Sequence, residues 1–354
     1  MATENSAGRG QPVGAGHALD WTRPGESCIE LPIESHTMQP YPFTLVQYER
    51  PGPIQDNSVL TRRPFAAIDH SFAADARRFV PGKRLETAIN TAIAVGEPLL
   101  ITGEPGTGKT QAAYYAAYKL DVEPVIHFQV KSETVARDLL YHFDTIRYFH
   151  DAHMGGGPGH DGTPGDKTLD KGDYIEKRAL WLAFERAGET GAPPVVLIDE
   201  IDKAPRDFPN DLLHELDKMA FTVMETDETI EAPRALGPIV FITSNSERRL
   251  PEPFLRRCTY HHIEFTDERV KLAVQARKDD FKALSPEFIA LAVRRFLALR
   301  DRNLRKVPAT GELLVWLRVL ASAVGAYPET LEEDLSKLPY LGVLLKDHQD
   351  MVEL

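Results

Sequence analysis

Short apolar runs alternate with amphipathic stretches through the middle of this 354-residue chain. A short continuous apolar run is typical of a strand buried on both faces, and an apolar period of 3.6 residues is typical of a helix. Strands that alternate with helices predict an α/β fold, a parallel sheet flanked by helices. The predicted strands cover residues 98–102, 125–130, 195–198, 238–245 and 262–265. One predicted helix, at 83–95, precedes the first strand, and those between the strands cover 111–120, 132–141, 174–188 and 208–220.

Beyond residue 266 the pattern is helical only. We therefore expect an α/β domain over 65–266 and a small all-α lid domain over 267–354. A short hairpin is predicted at 221–236. The helical patterns of the lid domain lie at 268–281, 286–300, 311–326 and 330–345.

Two stretches lack any period. The first 60 residues hold six Gly and seven Pro, which predicts a flexible leader over 1–64. Residues 151–173 hold seven Gly, which predicts a flexible insertion.

Composition narrows the class of protein. The net charge of −12 argues against strong non-specific nucleic-acid binding, because contacts to phosphates supply most of that affinity. No run of 18 apolar residues occurs, so no membrane span is expected, and the N-terminus does not resemble a signal peptide. Cys28 and Cys258 are the only cysteines, which fits a reducing compartment. We expect a cytoplasmic protein.

A phosphate-binding motif lies between the first predicted strand and the next helix. Residues 103–110 read Gly-Glu-Pro-Gly-Thr-Gly-Lys-Thr and fit G-x-x-x-x-G-K-[ST]. A glycine loop between a strand and a helix points backbone N–H groups and a helix N-terminus at one anion. Lys109 is then expected on the β- and γ-phosphates of ATP, and the Thr110 hydroxyl on Mg²⁺. The predicted nucleotide-contacting residues are Gly103, Glu104, Pro105, Gly106, Thr107, Gly108, Lys109, Thr110 and Gln111.

Polar residues end two further predicted strands. Asp199 and Glu200 follow four aliphatic residues, so both carboxylates are expected at the carboxyl edge of the sheet, where such sheets bind ligands. Asp199 is predicted to help hold Mg²⁺, and Glu200 to act as general base toward water. Asn245 ends the 238–245 strand and is predicted to orient that water. An ordinary Asn turn is the alternative for Asn245.

Two arginines follow a short apolar stretch at Arg256 and Arg257. They either form a solvated basic turn or include an arginine finger, which stabilises charge on a phosphoryl group bound by a neighbouring subunit. Either arginine can serve that role, and Arg257 is preferred.

Taken in order, these motifs resemble the MoxR-like, dynein-related branch of AAA+ ATPases over roughly residues 79–345. The resemblance implies that 103–110 is Walker A, that Asp199 and Glu200 form Walker B, that Asn245 is sensor 1 and that Arg257 is the finger. The family often opens a lid helix with Ser-Pro-Arg as sensor 2. Here 307–310 read Val-Pro-Ala-Thr, without the Arg, and Arg318 or Arg302 is a candidate substitute.

The resemblance also implies function and assembly. Such ATPases form hexameric rings and act as chaperones that remodel or activate a partner, very often a von Willebrand factor A (VWA) domain protein. The 151–173 insertion and the 221–236 hairpin lie where this family places its pore and insert elements. The alternative function is a nucleic-acid-directed motor or loader ATPase, which the acidic balance disfavours.

Overall fold

The computed structural model describes residues 71–154, 169–233, 235–245, 248–323, 329–332 and 334–354, and all of them belong to one compact unit. The predicted leader and most of the predicted insertion lie outside these residues. The strands are β1 Leu99–Gly103, β2 Ile126–Gln129, β3 Tyr141–Phe143, β4 Ile175–Lys177, β5 Val195–Asp199, β6 Ala220–Val223, β7 Glu228–Glu231, β8 Ile239–Ser244 and β9 Thr259–Ile263.

Helices cover both sides of the main sheet and build the C-terminal part. They are α1 Phe72–Ala76, α2 Lys83–Val95, α3 Lys109–Leu120, α4 Thr145–Met154, α5 Ala179–Thr190, α6 Phe208–Lys218, α7 Glu252–Leu255, α8 Asp267–Ala276, α9 Pro286–Arg300, α10 Thr310–Ser322, α11 Glu329–Glu332 and α12 His348–Val352. Short 3-10 helices lie at Ala136–Leu139, Lys171–Tyr174, Ile201–Lys203, Lys278–Phe281, Leu335–Lys337 and Leu341–Val343.

The main sheet has five strands in the order β2-β5-β8-β1-β9, and every pairing within it is parallel. This confirms the predicted α/β fold. The carboxyl ends of β1, β5 and β8 therefore meet at one edge of the sheet.

Successive apolar side chains of the central strands contribute to two hydrophobic cores, one on each face of the main sheet. Leu100, Ile198 and Ile242 pack on one face of the sheet with residues of α5 and α6. Leu99 and Phe241 pack on the other face with α2 and α3. Because successive strand residues point to opposite faces, a continuous apolar run is needed to supply both cores. A third core lies within the C-terminal helices.

Two predicted helices are wrong, and the helix predicted at 174–188 begins only at Ala179, after strand β4. At 132–141 the chain forms a 3-10 helix at Ala136–Leu139 and then enters β3, which pairs antiparallel with β4. The buried Tyr141 ring packs against Trp181 and Phe221. Pairing with a strand more than 30 residues later in the chain overrides the local helical pattern. At 330–345 the helix α11 covers only Glu329–Glu332, and 3-10 helices at Leu335–Lys337 and Leu341–Val343 lie on either side of Pro339, which is disfavoured inside a helix.

The ends of the predicted insertion are regular structure. Helix α4 extends to Met154, and a 3-10 helix covers Lys171–Tyr174. The insertion is therefore shorter than predicted, since only 155–168 lie outside the described residues. The hairpin predicted at 221–236 is confirmed as β6 and β7. Among the described helices, none is both long and apolar enough to cross a membrane.

Candidate functional site

The phosphate-binding loop joins β1 to α3 at the carboxyl edge of the sheet. Gly106 and Gly108 have φ angles of +71° and +92°, in the left-handed region that favours glycine. A Cβ on Gly106 would lie 2.6 Å from the Cβ of Ala309, and one on Gly108 would lie 2.6 Å from Cε2 of Phe79. Both positions thus require glycine for conformation and for space.

Lys109 lies inside this loop and is 6% exposed. Its Nζ donates hydrogen bonds of 2.9 Å to the carbonyl oxygens of Gly103 and Glu104. Burial lowers the pKa of the Lys109 ammonium, although the carboxylates of Asp199 and Asp202 oppose that shift. The loop therefore holds an ammonium group whose present partners are neutral carbonyls, which a phosphate can replace.

Asp199 ends β5 directly across from the loop. Both of its carboxylate oxygens lie 3.1 Å from the Thr110 hydroxyl. The Thr243 hydroxyl also donates to it, and Nε2 of His127 lies 3.4 Å from Oδ2. Burial by itself raises the pKa of Asp199, but the contacts from His127, Thr243 and Thr110 together lower it. Asp199 is thus an ionised carboxylate beside the Thr110 hydroxyl.

Glu200 lies at the end of the same strand with a φ of +60°. Its backbone N–H donates to the Thr243 hydroxyl at 2.9 Å. The amide of Asn245 donates to Oε1 at 3.3 Å. Oε2 accepts from Gln129 at 2.5 Å and from the Lys203 ammonium. The predicted base and the predicted sensor are therefore in contact.

These groups line one cleft of about 470 Å³, a size typical of small-ligand sites. Its polar end is formed by residues 105–111, by Asp199 and Glu200, and by Asn245. The Gln111 amide does not point freely into the cleft, because it donates to the Phe72 carbonyl at 2.7 Å. The apolar walls are Phe72, Phe79, Val80, Val270, Leu314 and Val315.

An ion-pair network lies along the same cleft. Asp75 pairs with Arg78 and Arg277, at 2.9 and 2.7 Å. Asp280 pairs with Arg78 and Arg318, at 2.6 and 2.7 Å. The network ties α1 to the C-terminal helices. Of the two candidate sensor 2 residues, Arg318 lines the cleft and Arg302 does not.

Arg256 and Arg257 lie outside the cleft. The Arg257 guanidinium is 3.2 Å from the Asp217 carboxylate, and both side chains are more than half exposed. Arg256 lies 3.7 Å from Glu252 and is 81% exposed. The chain therefore does not bring either arginine to its own predicted nucleotide site.

The structure adds residues to the site that the sequence patterns above do not predict. His127, Gln129, Thr243 and Lys203 all contact Asp199 or Glu200. A signal existed for His127 and Gln129, because they are alternate polar residues in an otherwise apolar strand and so share one face. Thr243 carries no such signal, since its role depends on the neighbouring strand β5. Lys203 follows Glu200 by three residues, a spacing that brings side chains together in a helical turn, so a local signal existed for it.

The residues present fit a Mg²⁺ ion. Mg²⁺ prefers oxygen ligands and is usually held in proteins by one or two carboxylates and by substrate phosphates. An ionised Asp199 beside the Thr110 hydroxyl is such a donor set. The glycine loop next to it lines the cleft of about 470 Å³.

Residues 98–258 match the family model of the AAA domain, dynein-related subfamily. This segment, which carries β1, the phosphate-binding loop, β5, β8 and both arginines, is thus similar to AAA domains of that subfamily. No curated protein matches the chain.

Solved structures that match the chain include NtrX from Brucella abortus in complex with ADP, at 13% identity and a TM-score of 0.42. That match covers 75% of this chain and 54% of the other. NtrX from the same organism in complex with ATP matches at 14% identity and a TM-score of 0.41, and that match covers 81% of this chain and 59% of the other. A candidate ATPase from Cytophaga hutchinsonii matches at 13% identity and a TM-score of 0.36, and that match covers 80% of this chain and 88% of the other. The chain thus spans little more than half the length of the two NtrX chains.

Proposed function

We propose that this chain binds and hydrolyses ATP in the cleft, and that hydrolysis drives the remodelling of a protein partner. One observation supports the chemistry most directly. The Thr110 hydroxyl contacts Asp199 at 3.1 Å, and Asn245 contacts Glu200 at 3.3 Å, at the mouth of one cleft. A phosphate-holding half and a water-activating half are therefore adjacent.

Each residue then has a specific task. Backbone N–H groups of the loop and the start of α3 bind the phosphate chain, and Lys109 neutralises its charge. Thr110 and Asp199 would hold Mg²⁺, which when bound supplies positive charge to the phosphate oxygens. Glu200 accepts a proton from the attacking water, while Asn245 holds that water and the carboxylate in a fixed relation.

The exposed position of Arg257 supports action between subunits. A guanidinium that does not line its own cleft can act as an arginine finger only on a phosphoryl group that another copy binds. We infer a ring of identical subunits, a hexamer by the MoxR resemblance, in which Arg257 of one copy completes the site of the next. The pair with Asp217 is exposed, so breaking it costs little.

A protein partner suits the remaining surface better than nucleic acid does. The net charge of −12 repels phosphates. The β6–β7 hairpin exposes Met224, and α4 exposes Ile146 and Phe149, apolar side chains that fit a protein client. By resemblance to the MoxR-like branch, that client is a VWA-domain protein.

The test is a phosphate-release assay with ATP and Mg²⁺ on the wild-type chain and on Glu200→Gln. The amide keeps the shape but cannot accept the water proton, so ATP should still bind and turnover should fall by about 10²-fold or more. Wild-type turnover by Glu200→Gln would rule out this base. Stimulation of turnover by DNA or RNA, but not by a VWA-domain protein, would favour the nucleic-acid motor instead.

A further inference from the structure

Arg300, the last residue of α9, connects the C-terminal helices to the phosphate-binding loop. Its side chain is only 10% exposed. One guanidinium nitrogen lies 2.8 Å from a carboxylate oxygen of Glu104. The guanidinium also stacks over the Phe265 ring, 3.4 Å from the ring centre. Stacking on the Phe265 ring fixes the plane of the Arg300 guanidinium and so the direction in which its N–H groups donate.

The same guanidinium fixes the connection that leads into α10. Its other terminal nitrogen donates to the carbonyl oxygen of Pro308. The amides of Arg305 and Lys306, earlier in this connection, donate to the buried Asp350 carboxylate at 2.8 and 2.9 Å. Residues 305–308 are therefore held at two points, by Arg300 and by the C-terminal helix α12.

This connection ends against the phosphate-binding loop. The space that a Cβ of Gly106 would need is filled by the Cβ of Ala309. Thr310, Gly311, Leu314 and Val315 then form one wall of the cleft. Glu104 contributes to both sides of this arrangement, because its carbonyl accepts from Lys109 and its carboxylate binds Arg300.

We propose that Arg300 is a positioning residue that holds the α10 wall of the cleft against the phosphate-binding loop through Glu104, and so sets the affinity for nucleotide. The inference rests on the proposed nucleotide site but not on hydrolysis. A wall fixed before binding lowers the entropic cost of binding, and its loss should appear mainly as faster release. Glu200 and Asn245 directly follow β5 and β8 and are not part of α10, so the chemical step should change little.

The experiment measures binding and release of a fluorescent ADP, mant-ADP, by the full chain and five variants. Arg300→Met removes the guanidinium, and Glu104→Gln removes only one charge from a half-exposed side chain. The double variant combines them, and Arg294→Met, an exposed arginine on the same helix, is the matched control. Thermal unfolding checks that each variant is folded.

Each of the two single variants should bind mant-ADP about 3- to 10-fold more weakly through faster release, and the double variant no more weakly than Arg300→Met. Arg294→Met should bind as the wild type does. With ATP, the KM of Arg300→Met should rise while kcat stays within about twofold, because Arg300 does not line the cleft. Conversely, Arg300→Lys should recover only part of the affinity, because an ammonium cannot stack and fork in the same way.

Unchanged affinity in folded Arg300→Met and Glu104→Gln would overturn the inference, and so would full additivity of the two effects. If Arg300→Met does not fold, the result for Glu104→Gln decides by itself. Binding of mant-ADP without any hydrolysis of ATP would overturn the proposed function and leave this inference standing. A wild-type chain that does not bind mant-ADP would overturn both.

Discussion

Lys109 has to exchange partners before its ammonium can reach a phosphate. In the structure it is bound to the carbonyls of Gly103 and Glu104, and it is nearly inaccessible to solvent. These carbonyl contacts keep a buried cation satisfied without nucleotide. A phosphate offers a charged acceptor in their place, so binding strengthens the interaction rather than creating it from a solvated lysine.

Lys109→Ala should therefore weaken ATP binding by about 1.5–3 kcal/mol, the value of a charge-assisted contact. Isothermal titration calorimetry with ATP and Mg²⁺ measures this loss. Lys119→Ala, an exposed lysine in the last turn of the same helix, is the control and should bind normally. Equal affinities for the two variants would show that the loop is not the phosphate site.

At the scale of elements, the loop between β1 and α3 is shaped as much by its neighbours as by its own sequence. Phe79 lies against Gly108, and Ala309 lies against Gly106. The loop is therefore contacted by one segment before and one segment after residues 98–258, the part of the chain that matches the family model. The loop conformation and the position of α10 are consequently linked through van der Waals contact at Gly106.

Gly106→Ala tests this contact. The left-handed φ costs a residue with a Cβ roughly 1–2 kcal/mol, and the added methyl meets Ala309. We expect calorimetry to show ATP binding weakened at least about 10-fold, with the helices still formed by circular dichroism. Gly188→Ala is the matched control, because nothing lies near that position in α5, and it should be slightly stabilising. Normal ATP binding by Gly106→Ala would show that the loop and wall are not tightly apposed.

At the scale of the whole molecule, one charged group lies on the outer surface and another connects parts of the same chain. Arg257 faces outward and is half exposed, so its proposed role requires another copy of the chain. The network of Asp75, Arg78, Asp280 and Arg318 faces inward and holds α1 to the C-terminal helices. The first group bears on assembly, and the second on the stability of the single chain.

Mixing two inactive variants tests the role of Arg257 between subunits. Arg257→Ala should bind ATP but lose about 10³- to 10⁵-fold in turnover, as for arginine fingers in general. Lys109→Ala lacks a working loop but keeps its arginine. Where Lys109→Ala is the neighbour of Arg257→Ala in one orientation, the shared site is complete, so partial phosphate release should return on mixing.

Subunit exchange without recovered turnover would argue against a role between subunits. Arg256→Ala is the control. If Arg256→Ala is inactive while Arg257→Ala stays active, the finger is Arg256.

Acid should weaken the inward network. Burial by itself raises the pKa of Asp280, but hydrogen bonds from Arg318 and Arg78 lower it below its usual value. A carboxylate with a lowered folded-state pKa stabilises the fold above its unfolded pKa of about 3.9, and that stabilisation is lost as pH falls through the folded value.

Asp280→Asn should therefore lower the free energy of unfolding by about 1–3 kcal/mol near pH 7, and the difference from wild type should shrink below about pH 4. Urea unfolding at several pH values measures this. Asp279→Asn, next in the chain and exposed, is the control and should leave the free energy unchanged. A difference that is constant down to pH 3 would mean that the charge of Asp280 contributes nothing.

The sequence by itself determined the three central strands of the main sheet and the polar end of the cleft. Strands buried on both faces need unbroken apolar runs, and those of β1, β5 and β8 stand out for that reason. Thr110, Asp199 and Glu200 lie beside their strands in sequence, and parallel strands bring their carboxyl ends to one edge. Local pattern was therefore sufficient to place them together.

Only the tertiary structure decided what surrounds those residues. The β3–β4 pair, the contact of Thr243 with Asp199, and the bond of Gln129 to Glu200 join residues that are far apart in the sequence and that no local pattern pairs with one another. The same holds for Arg300 and Glu104, which are 196 residues apart. Periodicity reports which face of an element is buried, whereas the partner on that face is set by packing between elements, and a single sequence does not encode that packing locally.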